Sequence, residues 1–408
     1  VPGAFGWRAH SSLWGGVSHT RSMPSSVVVF ATRYPPAFRG GGPIRTLEAL
    51  ARTVPSEYDV RVITRDDDEG SAPPLPVEAD VWTQRDGVSV RYVSVSRLRS
   101  FAAAMASARQ HRPEMIYVNS FFDFALSIAP QLLRRIGYLR AKRVLLAPRG
   151  EFGAAAYASK SRKKKLFIAL YRALGLHRGV VWHASSVAEK ADIEHVWGEG
   201  TQVVVRENDT LLPALSDRSV IDAAAGERPL SLVSLGRLVD HKGLHLVLEG
   251  LADASSPIDL DVYGPAEDEA YVDRCKSVVR SLNENVTVRF HDAVPHDRVR
   301  ELLAGHDALV MPTAGENFGH VIAEALSVAC PVICSDRTPW TRVLRSGGGV
   351  VVDERTAENW RTALLDYATL NAEGRAQRRY LAADAYDEWR GRQSRPHVFE
   401  LLQRSSTS

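Results

Sequence analysis

"MPTAGENFGHVIAEALSVACPVICSD", residues 311–336, reads as one strand–helix–strand unit. The run "DALVMP" (307–312) that leads into it has the composition of a buried strand, "AGEN" of a turn, and "FGHVIAEAL" of a helix beginning near Phe318. Val321, Ile322, Ala325 and Leu326 fall on one helical face that can pack on a sheet. "PVICSD" (331–336) is then a second strand. Two apolar strand runs joined by a helix call for a crossover between parallel strands, so this stretch sets an α/β class. Two acids remain to be explained: Glu316 at the mouth of the helix, and Glu324 off its apolar stripe.

The same alternation extends through the chain. Strand-like runs in the front half are 26–32, 59–64, 88–95, 114–120, 143–148, 179–185 and 201–207; those in the rear half are 230–236, 258–264, 286–290, 307–312, 331–336 and 348–353. Most are near-continuous Val, Ile and Leu, as in strands buried on both faces of a parallel sheet. At 408 residues the chain is long enough for two such doubly wound domains. The polar, proline-containing stretch 207–229 is the expected boundary. The expected division is a disordered extension over 1–22 with Met23 as the start, Rossmann-like domains over 23–206 and 207–380, and a C-terminal helix over 381–408 that crosses back to the first domain.

Composition narrows the classes. With 45% hydrophobic and 24% charged residues, the chain matches an ordinary globular protein. No uncharged apolar stretch approaches the roughly 18 residues of a membrane span, and residues 1–22 lack the apolar core of a signal peptide. Cys275, Cys330 and Cys334 lack metal-ligand spacing and suggest buried thiols in a reducing cytoplasm. Residues 1–195 carry 28 Lys and Arg against 16 Asp and Glu, the remainder 23 against 32. A basic front and an acidic rear imply two domains with different partners.

Over the eight residues from Glu316 to Glu324 a helix rises roughly 12 Å, about the span from a sugar across a diphosphate to a ribose. The helix N-terminus between the two acids offers unpaired N–H groups at Phe318, Gly319 and His320, and Gly319 lacks the Cβ that would hold an anion away. Each acid also fits a plain structural role, Glu316 as a capping acid and Glu324 as a solvated side chain. A second loop bears on the choice. In "LSLVSLGRLVDHKGLHLVLEGL" (230–251) a strand ends at Gly236-Arg237, and Lys242-Gly243 opens the next helix. Arg237 can offer a planar fork to phosphate oxygens and Lys242 a point charge. No Gly-x-Gly-x-x-Gly follows a strand, which disfavours a dinucleotide oxidoreductase.

Taken together, Gly236-Arg237…Lys242-Gly243, "YGP" (263–265), "FHDAVP" (290–295) and "PTAGENFGHVIAEAL…PVICSD" resemble the nucleotide-sugar domain of GT-B retaining glycosyltransferases of family four. Front-half echoes are "YPPAFRGGGPIRTLEAL", "IYVNSFFDFALSIAP", "APRGEFG" and "WHASSVAEKADI". The resemblance implies two Rossmann-like domains facing across a cleft, the first for an acceptor and the second for a nucleotide diphosphate-sugar. On it, Arg237, Lys242 and Glu316 are the catalytic set: Arg237 and Lys242 on the diphosphate, Glu316 on the sugar hydroxyls. Gly236 and the Asn317, Phe318, Gly319 and His320 segment would hold sugar and phosphate, Glu324 the ribose, and Pro265 and Val294 the base. Gly40, Gly41 and Gly42 match the first loop, which closes over the donor. Many members carry a His after the fourth front-half strand; here Asn119 and Ser120 stand there, so no general base is assigned. Arg149 is a further acceptor-side candidate, and a structural Arg is the competing reading. His183 reads as a core histidine. No metal or cofactor is implied.

The segment "ASKSRKKKLFIALYRALGLHRG" (158–179) sets Lys160, Arg162, Lys163, Lys164 and Lys165 before an apolar stripe of Leu166, Phe167, Ala169, Leu170 and Leu174. Arg134, Arg135, Arg140, Lys142 and Arg143 form a second basic cluster. Such a helix can lie on an anionic inner leaflet, which suits a lipid-linked glycan acceptor in cell-surface polysaccharide synthesis; a solvated face is the alternative. Nucleic acid is disfavoured, because aromatic residues are not interleaved with the charge. A GT-B-like sugar-nucleotide epimerase and a non-catalytic sugar-nucleotide-binding protein are the competing functions.

Overall fold

Fourteen strands, all thirteen predicted runs and one more, build two sheets in the computed structural model, which describes residues 24–69, 74–153, 161–223, 228–392 and 396–404. The expected extension 1–22, and Lys160, lie outside the described residues.

The first sheet comprises β1 (Ser25–Ala31), β2 (Tyr58–Arg65), β3 (Trp82–Arg85), β4 (Val88–Val93), β5 (Met115–Asn119), β6 (Arg143–Ala147), β7 (Val180–Ala184) and β8 (Val203–Val205), in the order β3-β4-β2-β1-β5-β6-β7-β8. The second comprises β9 (Leu230–Leu235), β10 (Ile258–Tyr263), β11 (Val286–His291), β12 (Ala308–Met311), β13 (Val332–Ser335) and β14 (Gly349–Val352), in the order β11-β10-β9-β12-β13-β14. Every pairing is parallel except β3 with β4. That hairpin is the strand missed from sequence. Asp86 and Gly87 both have positive φ (56° and 82°), the Asp-Gly turn that matches strand twist. β5 and β6 are buried along nearly their whole length, with apolar clusters on both faces of each sheet.

Strand order reverses between β1 and β5 in the first sheet and between β9 and β12 in the second. Ligands of open α/β sheets bind beyond the carboxyl ends of strands at such reversals. Gly40–Gly42 follow β1 and Ser120 follows β5; Arg237 follows β9 and Glu316 follows β12.

The C-terminal segment is two helices rather than one. Ala372–Gly391 packs on the second sheet, where Trp389 meets Trp340 at 4.5 Å between ring centroids. The residues after it return to the first sheet, where Phe399 in helix Val398–Arg404 lies 5.5 Å from Tyr58 and 5.8 Å from Tyr117. Pro396 stands at the turn, its carbonyl taking a hydrogen bond from Arg206 Nε at 3.0 Å.

Candidate functional site

The loops after β9 and β12 are tied together by backbone. Ala314 N–H donates to the His241 carbonyl at 2.8 Å, and from beyond β14 the Arg355 side chain braces the second loop, its Nε donating to the Pro312 carbonyl at 2.7 Å. Gly243, at φ 77°, makes this approach sterically possible: a Cβ there would come within 2.3 Å of the Pro312 oxygen. Joining the loops sets the Lys242 ammonium on the Glu316 carboxylate, with both side chains half-buried. Arg237 does not converge on that pair. Its guanidinium meets Glu267 at 3.2 Å, and both groups are more than a third exposed. Beside it, Leu238 N–H donates to the Pro265 carbonyl at 3.0 Å, and Val294 packs against the same apolar cluster as Leu235 and Tyr263.

The motif helix begins at His320, not Phe318, with Gly319 as a left-handed N-cap (φ 80°). Ser335 Oγ and Trp340 Nε1 hold the loop before it, donating to the Thr313 carbonyl at 2.6 Å and the Phe318 carbonyl at 2.5 Å. Residues 316–319 are therefore non-helical, and the helical rise assumed between the two glutamates does not apply. A Cβ on Gly319 would meet Ile322 Cδ1 at 3.1 Å, so here this glycine serves packing. Among the described residues, no protein acceptor takes the N–H of Phe318 or Gly319.

Glu324 is buried rather than solvated. His296 Nδ1 lies 3.4 Å from its Oε1. Burial pushes its carboxyl pKa up, while Arg45 and Arg300 pull it down. Arg45, in helix Gly42–Arg52, belongs to the first sheet's domain. Burial lowers its guanidinium to about 10, with Glu324 the leading opposing charge.

His320 crosses the same gap. Its Nε2 is 2.8 Å from Thr46 Oγ1, and a Cβ on Gly42 would lie 3.3 Å from its ring. Burial drives its pKa down to about 3, with Arg45 and Arg149 adding repulsion. Asn317 crosses at Gly150, where a Cβ would meet the Asn317 Cβ at 2.8 Å. The loops after β1 and β6 thus face the loop after β12, with Gly42 at the contact, while a Cβ on Gly41 (φ 64°) would meet nothing.

On the first-sheet wall, Arg149 is buried, at φ 55°. Its Nε donates to Asn119 Oδ1 and one terminal nitrogen to Asn208 Oδ1, each at 2.7 Å; the other donates to Tyr117 OH. Among the described residues its partners are these side chains, not Glu151. Glu151 instead accepts from Ser120 Oγ and Phe121 N–H, each at 2.6 Å, and burial raises its pKa against those donors. Asn119 and Ser120 therefore spend their side chains on neighbours. His183 is the expected core histidine, 3.0 Å from Tyr117 OH and 2.9 Å from the Arg206 carbonyl.

Sequence reading missed Arg45, Thr46, Asn208, His296 and Trp340. Arg45 and Thr46 carry a usable signal, three and four residues beyond Gly42 in a helix that opens with Pro43, so that both share the helical face next to the loop. Asn208 carries none. Among the described residues, no group of three or more His, Cys, Asp or Glu side chains is arranged to hold a metal. The three thiols are free and buried, and burial pushes Cys330 and Cys334 up to about 12.

The basic helix Ser161–Ala173 differs from its expected stripe. Ile168 and Tyr171 turn into the core, and Phe167 packs partly against it, whereas Leu166 is 72% and Leu170 53% exposed. Arg162, Lys163 and Lys165 are exposed beside them. No helix among the described residues is long and apolar enough to cross a membrane.

Comparison with known proteins bears on the second domain most directly. Residues 219–385 match the family model of glycosyl transferases group 1. A lipopolysaccharide core biosynthesis glycosyltransferase of Rhizobium meliloti is 28% identical over 188 residues, 45% of this chain and 52% of that protein. A D-inositol 3-phosphate glycosyltransferase of Rhodococcus opacus is 30% identical over 158 residues, 36% of this chain and 35% of the other. The aligned region thus spans about half and about a third of these curated relatives. The Anabaena protein HepE, solved in complex with UDP and glucose, superposes with a TM-score of 0.66 at 15% identity, covering 90% of this chain and 95% of its own. The chain has the GT-B architecture of two Rossmann-like domains, and its residues 219–385 are similar to the glycosyl transferases group 1 family.

Proposed function

We propose that the chain is a retaining glycosyltransferase that moves a sugar from a nucleotide diphosphate donor to a glycan or lipid-linked glycan in cell-surface polysaccharide synthesis. The observation that carries this reading is the Lys242–Glu316 pair, held between two backbone-linked loops at the strand-order reversal of the second sheet. Glu316 is an acceptor for donor sugar hydroxyls, and Lys242 with Arg237 supplies positive charge to the diphosphate. Arg237 needs only to leave an exposed ion pair, worth at most about 1 kcal/mol.

In the reaction, the bond from the anomeric carbon to the leaving phosphate oxygen breaks, and one to the acceptor oxygen forms on the same face. The acceptor proton passes to the leaving phosphate, which removes the need for a protein base near Asn119. Lys242 and Arg237 stabilise the charge that develops on the nucleotide. Gly236, Asn317, Phe318, Gly319 and His320 line the sugar–phosphate segment, Pro265 and Val294 the base. Glu324 fits the ribose as a buried acceptor, and Arg45 is its cross-cleft counter-charge. Arg149 organises the acceptor wall with Asn119 and Ser120 rather than doing chemistry. Exposed Leu166 and Leu170 among Arg162, Lys163 and Lys165 suit peripheral contact with an anionic inner leaflet, so the protein works at the cytoplasmic face of that membrane.

A thermal-shift panel of nucleoside diphosphates and their sugars tests the reading. Ligand at 100 times its dissociation constant adds about 2.7 kcal/mol. A panel with no stabilising nucleotide contradicts it. Binding without transfer or slow donor hydrolysis points instead to a non-catalytic binder, and epimerised free donor to an epimerase.

A further inference from the structure

A second cationic feature lies at the other end of the first sheet. Residues 140–142 precede β6, whereas Arg149 follows it, so the two ends are separated by roughly 20 Å of extended chain. A cavity of about 450 Å³ opens there, and its charged lining is Arg134, Arg135, Arg140, Lys142 and Arg178. No Asp or Glu lines it.

The cavity is built rather than left by loose side chains. Arg134 is its clamp: Nε donates to the Ala141 carbonyl at 2.9 Å and a terminal nitrogen to the Lys142 carbonyl at 3.0 Å. Those two bonds fix the loop that carries Arg140 and Lys142. Gln131 forms a buried floor, donating to the Ser127 carbonyl at 2.8 Å and accepting from Tyr171 OH at 2.6 Å. The Arg135 guanidinium lies over Gly175, where a Cβ would meet it at 3.4 Å. Glu114, whose carbonyl accepts the Lys142 N–H at 2.9 Å, turns its carboxylate to Ser25 Oγ at 3.3 Å. Among the described residues, Arg135, Arg140, Lys142 and Arg178 pair with no carboxylate. Four like charges around one concavity repel one another unless an anion joins them.

We propose that this cavity is an anion site separate from the donor cleft, taking a phosphate group on the forks of Arg135, Arg140 and Arg178 and the ammonium of Lys142. Arginine forks match phosphate oxygens in pairs, and charge-assisted bonds are the strong ones. The phosphate can come from a lipid headgroup, since Ile136 on the adjoining loop is 75% exposed, or from a free phosphate ester; the chemistry of the site is the same. The proposal stands independently of the donor reading.

The test titrates inorganic pyrophosphate calorimetrically into three full-length proteins: Lys242→Ala, Lys242→Ala with Arg135→Gln and Arg140→Gln, and the unmodified chain. Exposed Arg135 and Arg140 can be changed without opening the core. Pyrophosphate should still bind the Lys242→Ala protein and bind roughly ten-fold or more weakly when both arginines are gone. A parallel flotation with phosphatidylglycerol or phosphatidylcholine vesicles identifies the source. Loss of phosphatidylglycerol flotation in the Arg135→Gln, Arg140→Gln protein, with flotation retained by a charge-matched Lys276→Gln, Arg280→Gln protein altered on the exposed surface of the second domain, assigns the site to a headgroup. Flotation untouched by the arginine pair, with pyrophosphate binding lost, assigns it to a free ester. Pyrophosphate affinity that is unchanged by the arginine pair, or that vanishes with Lys242→Ala alone, overturns the proposal.

Discussion

On the first-sheet wall of the cleft, Arg149 commits all three guanidinium nitrogens to Asn119, Asn208 and Tyr117, whereas on the opposite wall Arg237 meets exposed Glu267. Glu151 and Glu316 differ in the same way. The first accepts from the Ser120 hydroxyl and two backbone amides, the second meets one lysine at the open end of a strand-order reversal. A wall whose polar groups are mutually satisfied resists rearrangement, because breaking one bond leaves buried partners unpaired. A wall held by ion pairs at the water boundary can exchange partners at small cost. The first wall is therefore a fixed surface and the second the part that adapts to a ligand.

The largest expected effect lies on the adaptable wall. Lys242→Ala or Glu316→Ala should lower transfer by roughly 10²–10³-fold, with stability nearly unchanged. A radiolabelled-donor assay beside urea unfolding separates the two quantities. A variant that transfers normally breaks the contrast at once.

The reverse pattern belongs to the fixed wall. Arg149→Met strands the buried Asn119 and Asn208 side-chain oxygens, so it should cost about 3 kcal/mol of stability, whereas Arg237→Met should stay within about 0.5 kcal/mol. Equal urea midpoints for the two variants would remove the distinction between the walls.

A smaller effect concerns the contact between the walls. His320 is held neutral to about pH 3, while an unfolded histidine takes a proton near pH 6.5. Below that value the unfolded chain binds a proton that the folded chain refuses. Stability therefore falls as pH drops from about 6.5, by about 1.4 kcal/mol per unit from this group. His183, also pushed down chiefly by burial, adds to the slope with the same sign. His320→Gln should remove one proton's share of that slope in urea unfolding at pH 7, 6 and 5; an unaltered slope would show that the imidazole is not held neutral. Smallest of all, Glu267→Gln should change the unfolding free energy by less than about 0.5 kcal/mol, as the exposed pair with Arg237 requires.

The same contrast explains what could be read from sequence. Strand runs were legible because burial on both faces writes continuous Val, Ile and Leu, and Lys242 and Glu316 because each follows its strand within a short loop. Edge strand β3 was hidden because "WTQR" is half-exposed and polar, though Asp86-Gly87 marked its turn. The motif helix was started two residues early because Phe318 looks like a helix residue, whereas Gly319 in the left-handed region breaks the chain's path there. Arg149 was read without its partners because Asn208 stands 59 residues away in sequence, and only the fold brings the two together. Helical periodicity puts Glu324 off the apolar stripe but cannot register its burial, which comes from His296 and from the facing domain.

The central claim is that the Lys242–Glu316 loops form the donor diphosphate site. The most direct test is calorimetric titration of the best-stabilising nucleoside diphosphate into the unmodified chain and into Lys242→Ala. The account predicts affinity at least roughly ten-fold weaker in the variant; equal affinity in the two proteins would contradict it.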